Sequence, residues 1–477
     1  MAGGSPLHCR AVSEARRFFV RTFGCQMNEH DSERLAGLLR AGGMEPTDDV
    51  EQADVVVLNT CCIRENADHK LYGHLGRLKA LKARRPDLQI AVGGCLAQKD
   101  RDLILERAGH VDVVFGTHNL GRAPALLDHA RRTGEPVVEL LEEHEAYPSA
   151  LPALRESDHA AWVTIQIGCD NSCTFCIVPT VRGAEVSRRM GDIVREVEEL
   201  AADGVREVTL LGQNVNSYGR DLGAGQYRPR FADLLRAVDA VDRIRRIRFT
   251  SPHPKDLRPE TIEAMAECDA VCEHLHLPLQ AGSDRTLARM HRGYVAARYL
   301  ERLRAAREAI PDLAVTTDVI VGFPGETEAD FQHTLDVVDE VSYDAAYTFV
   351  FSPRPGTPAA AMADEFVGPE VARERMERLT ELVERHALAR HRARVGRVEE
   401  VLVDGPSKKD PNVLSGRTRQ NKLVHFDPVD AARRTADRGG MCAVRITDAA
   451  PHWLRGELVG VGDGPAPRRV RIPVSVG

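Results

Sequence analysis

The sequence predicts an α/β protein in three parts: an N-terminal open parallel-sheet domain, a central partial (β/α)6 TIM-like barrel, and a small C-terminal antiparallel β-barrel. Three observations predict it. Apolar strands alternate with amphipathic helices over the first ~135 residues. Six further strand–helix units follow, each strand running into a polar, turn-rich loop. The last ~80 residues give short strands broken by Gly and Pro. The expected boundaries are 15–135, a linker at 136–158, then 159–395 and 396–465.

In the first part, Phe18–Phe23 reads as a strand followed by Gly24-Cys25, and Val55–Leu58 as one followed by Asn59-Thr60-Cys61. Ile90–Val92 is followed by Gly93-Gly94-Cys95, and Val111–Phe115 makes a fourth strand. Helical stretches such as Ser32–Leu39 and His69–Leu81 lie between them. Three successive strands thus end in a cysteine, at separations of 36 and 34 residues, about one βα unit each. In an open parallel sheet the strand C-termini share one edge, and right-handed crossovers bring their loops together there. Cys25, Cys61 and Cys95 are therefore expected to converge as ligands of an iron–sulfur cluster. The bland alternative is three small buried residues capping strands. Cys62 adjoins Cys61, so local reasoning does not say which of the two ligates.

The linker is acidic and broken by proline, with Glu142, Glu143, Glu145, Pro148, Pro152, Glu156 and Asp158. Central strands are expected at Trp162–Ile167, Glu207–Leu211, Arg246–Thr250, His274–Leu279, Val315–Val321 and Ala346–Phe351. Just after the first comes Cys169-Asp-Asn-Ser-Cys173-Thr-Phe-Cys176. Three thiolates on one short loop can hold three irons of a four-iron cluster and leave the fourth open to a small molecule. A zinc knuckle is the rival, but zinc closes its shell with a fourth ligand, and Ile177, Val178 and Pro179 come next. Buried free thiols are the other alternative. Polar loops follow the later strands: Gly212–Tyr218, Ser251–Pro254, Pro278–Ser283, Gly322–Thr327 and Ser352–Thr357. Each could be a mere turn. Together they line the catalytic edge of a barrel, where Asn and Gln can bind the polar ends of an amino acid.

Pro369–Ala393 reads as a charged connecting helix. Strands follow at Glu399–Asp404, Val413–Arg417, Leu423–Phe426 and Cys442–Ile446. From His391 to Gly477 there are 16 basic and 10 acidic side chains, net +6, against −13 for the rest of the chain. A basic module on an acidic body suits phosphate-backbone binding, with Lys408, Lys409, Arg417, Arg419 and Lys422 as candidate contacts. For any single one of them, a solvated basic surface is the alternative.

Bulk properties fit an intracellular enzyme. The 477 residues are 43% hydrophobic and 28% charged, as in a globular chain. The 11 cysteines form no disulfide framework, the start lacks a secretory signal, and no apolar run reaches membrane-span length.

These motifs in this order resemble the radical S-adenosylmethionine (SAM) methylthiotransferases over nearly the whole chain. The resemblance rests on Thr22–Asn28, Asp31-Ser-Glu33, Asn59-Thr-Cys61, Gly93-Gly-Cys95 and the Cys169, Cys173, Cys176 triplet. The C-terminal barrel resembles a TRAM domain, an RNA-binding module. One branch of the family modifies isopentenyladenosine beside the tRNA anticodon, another threonylcarbamoyladenosine in tRNA, and a third an aspartate of a ribosomal protein. Gly168–Pro179, Arg182-Gly183, Glu185–Arg188 and Cys25–Glu33 resemble the first branch. Thr180 stands where an aromatic is frequent, and Ala281 replaces a usual Ser.

The resemblance implies two 4Fe-4S clusters, one on Cys169, Cys173 and Cys176 and one on Cys25, Cys61 and Cys95, with SAM as methyl donor and radical source. Gln213, Asn214, Ser251, Gln280 and Asp318 are the expected SAM contacts. Expected partners are a tRNA anticodon stem-loop and an electron donor such as a flavodoxin or ferredoxin. A cytoplasmic monomer without membrane contact is expected. Methylthiolation of threonylcarbamoyladenosine, a non-catalytic iron–sulfur RNA-binding protein and a zinc-dependent RNA-binding protein are the rival readings.

Overall fold

Residues 15–61, 65–141, 152–223 and 230–462 are described by a computed structural model, which divides them between a unit ending at Glu156 and one beginning at Ser157. In the first unit, β1 (Arg17–Thr22) leads through α1 (Gln26–Ala41) to β2 (Glu45–Pro46). Then come β3 (Val55–Thr60), α2 (Glu65–Arg84), β4 (Gln89–Gly94), α3 (Cys95–Asp100), α4 (Leu103–Arg107), β5 (Val113–Phe115), α5 (Ala123–Thr133) and β6 (Val137–Glu139). All pairings are parallel, in the order β2-β1-β3-β4-β5-β6. β3 and β4 are buried at every position. A parallel sheet covered on both faces demands such continuous apolar runs. Winding proceeds from β1 to β2 in one direction and from β3 to β6 in the other. The reversal between β1 and β3 opens a crevice above their C-terminal ends.

The linker expectation needs adjustment at both ends. Val137–Glu139 pairs with β5, and three residues are too few to display a period. Farther on, the Leu154 N–H donates to the Glu33 carbonyl and the Glu156 N–H to the Glu33 carboxylate. Glu142, Glu143, Glu145 and Pro148 lie outside the described residues.

The second unit opens with β7 (Ala160–Thr164), β8 (Gln166–Ile167), α6 (Val178–Arg182), β9 (Val186–Ser187) and α7 (Met190–Ala202). It continues with β10 (Glu207–Leu211), α8 (Phe231–Asp239), β11 (Arg246–Phe249), α9 (Pro259–Glu267), β12 (His274–His276), α10 (Asp284–Arg289) and α11 (Ala296–Ala309). β13 (Ala314–Val321), α12 (Glu328–Val341), β14 (Ala345–Val350) and α13 (Pro369–Arg392) complete the barrel portion. β7, β10 and β11 pair in parallel, as do β12, β13 and β14, and an Ile247–Val271 bridge connects the two sets. Among the described residues nothing pairs β7 with β14, so the six-stranded barrel is open at that seam. Alternate residues point outward into the core beneath the helices, among them Val163, Leu210, Ile247, Val319 and Val321. Their neighbours face the lumen. The first strand is shorter than expected: after Thr164 the chain bends, and β8 pairs antiparallel with β9.

The last part is β15 (Val398–Pro406), β16 (Leu414–Thr418), β17 (Leu423–Phe426), β18 (Met441–Ala449) and β19 (Leu454–Val461), closed in the order β15-β16-β17-β19-β18. Four pairings are antiparallel, but β17 and β19 run parallel. β19 goes unseen in the sequence because Arg455-Gly-Glu457 interrupts its apolar pattern.

This barrel is fastened to the N-terminal end of the six-stranded barrel. The fully buried Arg246 donates to the carbonyls of Arg417 (2.7 Å) and Glu400 (3.0 Å). Arg248 donates to those of Thr418 (2.8 Å) and Arg419 (3.0 Å). In return Arg419 reaches Glu273 (2.7 Å) and the carbonyls of Asp269 and Val271, while Lys422 meets Asp344 at 2.6 Å. Arg419 and Lys422 are buried, so two of the five expected phosphate contacts are internal anchors instead; Lys408, Lys409 and Arg417 are exposed. No helix among the described residues is long and apolar enough to cross a membrane.

Candidate active site

The β8–β9 pair closes the base of the loop that carries Cys169, Cys173 and Cys176. Gly168 makes that closure possible: its φ is +74°, and a Cβ there would lie 1.9 Å from the Ala184 carbonyl oxygen. The loop is fixed along its length. The Cys169 N–H donates to Gly183, the Thr174 N–H and hydroxyl to Met290 and Arg289, and the Ala359 N–H to Thr174. Burial raises the Cys169 thiol and pushes Cys176 up to about 12, and in each case nearby thiols of the triplet add to the shift. Cys169 and Cys176 thus each sense a neighbouring thiol of the triplet. Iron coordination reverses this, because a ligating thiol is deprotonated outright. A cubane binds each thiolate through a different iron, a looser arrangement than the shell of one ion. Among the described residues no three His, Cys, Asp or Glu side chains gather tightly enough to hold a single metal ion.

A cation stands beside this set. Arg292, 6% exposed, places Nη1 3.3 Å from Cys173 Sγ. It is steadied by Tyr294, whose hydroxyl lies 3.3 Å from Nε and in turn donates to the Leu279 carbonyl at 2.8 Å. Sequence reasoning missed Arg292, since it follows a short helix and not a strand end. On the other side Asn171 donates to Cys169 Sγ at 3.5 Å and accepts from Lys255 at 2.6 Å.

The expected SAM contacts lie on the later strand ends. The Asn214 amide nitrogen is committed to Asp256 at 2.8 Å, and Asp256 also holds Arg220. This leaves Asn214 Oδ1, like Gln213 Oε1, buried and without a hydrogen-bond partner. Two orphaned acceptors at the mouth of the barrel fit an ammonium group such as the one on the methionine end of SAM. His253 supplies the complement. Burial, with Arg292, Lys255 and Arg220, pushes its pKa down to about 2, so the ring is neutral. Its Nδ1 accepts from the Lys255 N–H, which leaves the proton on the unpartnered Nε2. Ser251 (φ +59°) and Gln280 (φ +69°) hold left-handed backbone without being glycine, a strain that accumulates at ligand sites. The backbone of Gln280 bonds to Asp318 and Ile320. Asp318 lies deeper, on the lumen face of β13, with Oδ2 3.5 Å from His276 Nε2.

In the first unit, Cys25, Cys61 and Cys95 follow β1, β3 and β4, which are neighbours in the sheet. The register aligns Thr22 with Asn59 and Thr60 with Gly94. Cys25 caps α1, and Cys95 opens α3. Gly24 (φ +145°) passes so near Cys61 that a Cβ would lie 2.4 Å from its Cβ and 3.1 Å from its Sγ. Buried amides lock the first two ends together, and the Thr60 hydroxyl ties them to β4 by donating to the Gly93 carbonyl at 2.6 Å. Asn28 donates to the Thr60 carbonyl (3.0 Å) and accepts from the Cys25 thiol (3.4 Å). Asn59 donates to the Asn28 carbonyl (2.8 Å) and Ser32 (2.9 Å). Cys61 and Cys95 are buried, Cys25 half-buried, and Cys62 lies outside the described residues. Soft sulfur donors, a close backbone approach and a helix N-cap at Cys25 are a donor set that fits a second cluster.

Residues 17–116 match the uncharacterized protein family UPF0004, and residues 163–338 match the radical SAM superfamily. A tRNA-2-methylthio-N(6)-dimethylallyladenosine synthase of Acidothermus cellulolyticus is 55% identical over 94% of this chain and 89% of its own length. Proteins of the same name from Nocardia farcinica and Thermobifida fusca are each 54% identical, over 93% of this chain and 89% of theirs. Among solved structures, the radical SAM methyltransferase TsrM of Kitasatospora setae, with tryptophan and a SAM analogue bound, has a TM-score of 0.52 at 15% identity, covering 72% of this chain and 75% of that one. The cobalamin-dependent radical SAM enzyme OxsB has a TM-score of 0.51 at 14% identity, covering 76% and 56%. At such identities the likeness is one of fold.

Proposed function

The chain belongs to the tRNA-2-methylthio-N(6)-dimethylallyladenosine synthase family, and from that premise we propose that it inserts sulfur and a methyl group at C2 of an isopentenylated adenosine beside the tRNA anticodon. The C2–H bond is unactivated, so acid–base catalysis is insufficient. A cluster held by Cys169, Cys173 and Cys176 with SAM would supply radical chemistry at this bond, and one held by Cys25, Cys61 and Cys95 would supply the sulfur, with SAM as methyl donor. The single observation that carries the reading is the Cys169–Cys176 triplet on a loop closed by the β8–β9 pair at the C-terminal end of the first barrel strand, with Arg292 at 3.3 Å from Cys173 Sγ.

This chain's own residues do the positioning. Cys169, Cys173 and Cys176 would hold the cluster that binds SAM. Gln213 and Asn214 receive the SAM ammonium, and His253 donates to its polar groups. Ser251 and Gln280 set the strained loops that approach SAM, and Asp318 closes the far wall. Cys25, Cys61 and Cys95 hold the second cluster, for a total of two. The adenine leaves the anticodon loop to reach this site, which a single-stranded loop allows cheaply. The anticodon stem-loop is the partner, aided by the exposed bases of the C-terminal barrel. A flavodoxin or ferredoxin supplies electrons to a monomeric enzyme.

The test is nucleoside mass spectrometry of tRNA from a strain lacking this gene, with and without the chain restored. The 2-methylthio group should vanish from isopentenyladenosine and return on restoration. Its appearance on threonylcarbamoyladenosine instead, or on neither, overturns the reading.

A further inference from the structure

The seam of the six-stranded barrel is bordered by β7 and β14, and the lumen side of both is aromatic. Register fixes which residues share that side. Asp318 pairs with Tyr347 and Ile320 with Phe349, while Thr209 pairs with Trp162 and with Arg248. The outward residues of the same sheets are buried beneath helices. By contrast Tyr347 is 58% exposed and Phe349 40%, and Trp162 is half-buried. Large rings held at mid-strand and left in contact with solvent bring the fold less burial than the outward side chains do.

Their surroundings are polar and specific. The Tyr347 ring meets His276 edge-on at 6.0 Å. His276 Nε2 is 3.5 Å from Asp318 Oδ2, and its Nδ1 is 3.0 Å from the Thr316 hydroxyl, which also lies 3.1 Å from His274 Nε2. A carboxylate acceptor therefore stands one strand away from the aromatic surface. The buried acceptors suited to an ammonium lie elsewhere, after β10.

A purine drawn from an RNA stack needs a ring to replace its neighbours. An adenine alkylated at N6 retains one N6–H to donate, and its C5 tail is apolar. We propose that Tyr347 and Phe349 are the shelf on which the substrate purine stacks, with Asp318 accepting its N6–H and Phe349 meeting the alkyl tail. This rests on the functional reading above and names the residues that would recognise the base. It also gives Asp318 a different duty from the SAM contact expected of it.

The experiment uses the full-length enzyme and two anticodon stem-loop RNAs, one bearing the isopentenylated adenosine and one abasic at that position. Phosphate contacts are common to both, so the ratio of their dissociation constants isolates the base. Wild-type protein should prefer the base-containing RNA by about tenfold or more. Tyr347→Ala and Phe349→Ala should each reduce that ratio severalfold, and Tyr347→Phe should retain it. Val350→Ala is the control, because Val350 is equally exposed (47%) but points to the other side of β14. Retention of the ratio in both alanine variants, or an equal loss in Val350→Ala, overturns the shelf. A loss of SAM binding by Tyr347→Ala without RNA overturns it too, since the rings would then serve the SAM adenine. A wild-type ratio near one sinks the shelf alone, because the functional reading stands on the nucleoside analysis.

Discussion

Cys169, Cys173 and Cys176 lie within eight residues of one loop, whereas Cys25, Cys61 and Cys95 come from the ends of three strands spread over 71 residues. The loop set has a buried guanidinium at 3.3 Å; in the strand-end set the amides of Asn28 and Asn59 join the first two ends and the Thr60 hydroxyl ties on the third. One site is made by local spacing and pinned afterwards. The other exists only while β1, β3 and β4 keep their register, so it inherits the stability of the whole sheet. The contrast teaches that equal donor sets can have unequal dependence on the fold.

The largest effects come from removing each set in turn. Two Cys-ligated four-iron clusters amount to about eight irons per chain, and triple alanine replacement of either set should halve that. Loss of the loop set should also abolish 5′-deoxyadenosine formation; loss of the strand-end set should stop methylthiolation while SAM cleavage continues. Iron lost entirely from either variant would break the comparison. Within the strand-end set, Cys61→Ala should abolish the product and Cys62→Ser largely retain it.

Next in size is the anchoring of the loop site's own scaffold. Lys422→Ala removes the ion-pair partner of the buried Asp344 carboxylate, leaving it the Val315 N–H, and should cost the second unit about 3 kcal/mol, read by urea unfolding. An unchanged midpoint would mean that the fastening is superficial. Deleting everything from Val398 should therefore do more than weaken RNA binding, because Arg246, Arg248, Glu273 and Asp344 would each lose a partner at once.

A smaller change tests the guanidinium. Arg292→Gln should make the loop cluster harder to reduce, because a positive charge beside a thiolate favours the more negative, reduced state. Arg292→Lys should restore part of the shift in an EPR-monitored redox titration, and identical potentials in all three proteins would remove the proposed electrostatic difference between the sites. Smallest of all, Lys408→Ala and Lys409→Ala should each lower the salt slope of tRNA binding by about one. A slope that does not move would exclude them as phosphate contacts.

The loop cysteines were legible because their spacing is local, and the strand-end cysteines because each repeats after an apolar run about one βα unit from the last. The six-stranded barrel was legible for the same reason, since β10 and β13 are apolar runs ending in polar turns. Arg292 was not, because nothing in Met290-His-Arg-Gly-Tyr294 marks which residue folds back on a sulfur. The charge surplus beyond His391 misled in part. A count of basic residues carries no information about the side on which each one lies, and Arg419 and Lys422 face inward. β6 and β19 escaped because one is too short, and the other too interrupted, to show a period.

The turn from Thr418 to Lys422 has one more consequence. Seated in the strand N-termini and hydrogen-bonded to Arg248, it acts as a stopper in the bottom of a vessel. A radical formed at the cysteine end would find the floor sealed, leaving the mouth and the aromatic seam as its ways out. Exclusion of water and stray hydrogen donors is what such a species requires. The C-terminal barrel would then guard the chemistry from below.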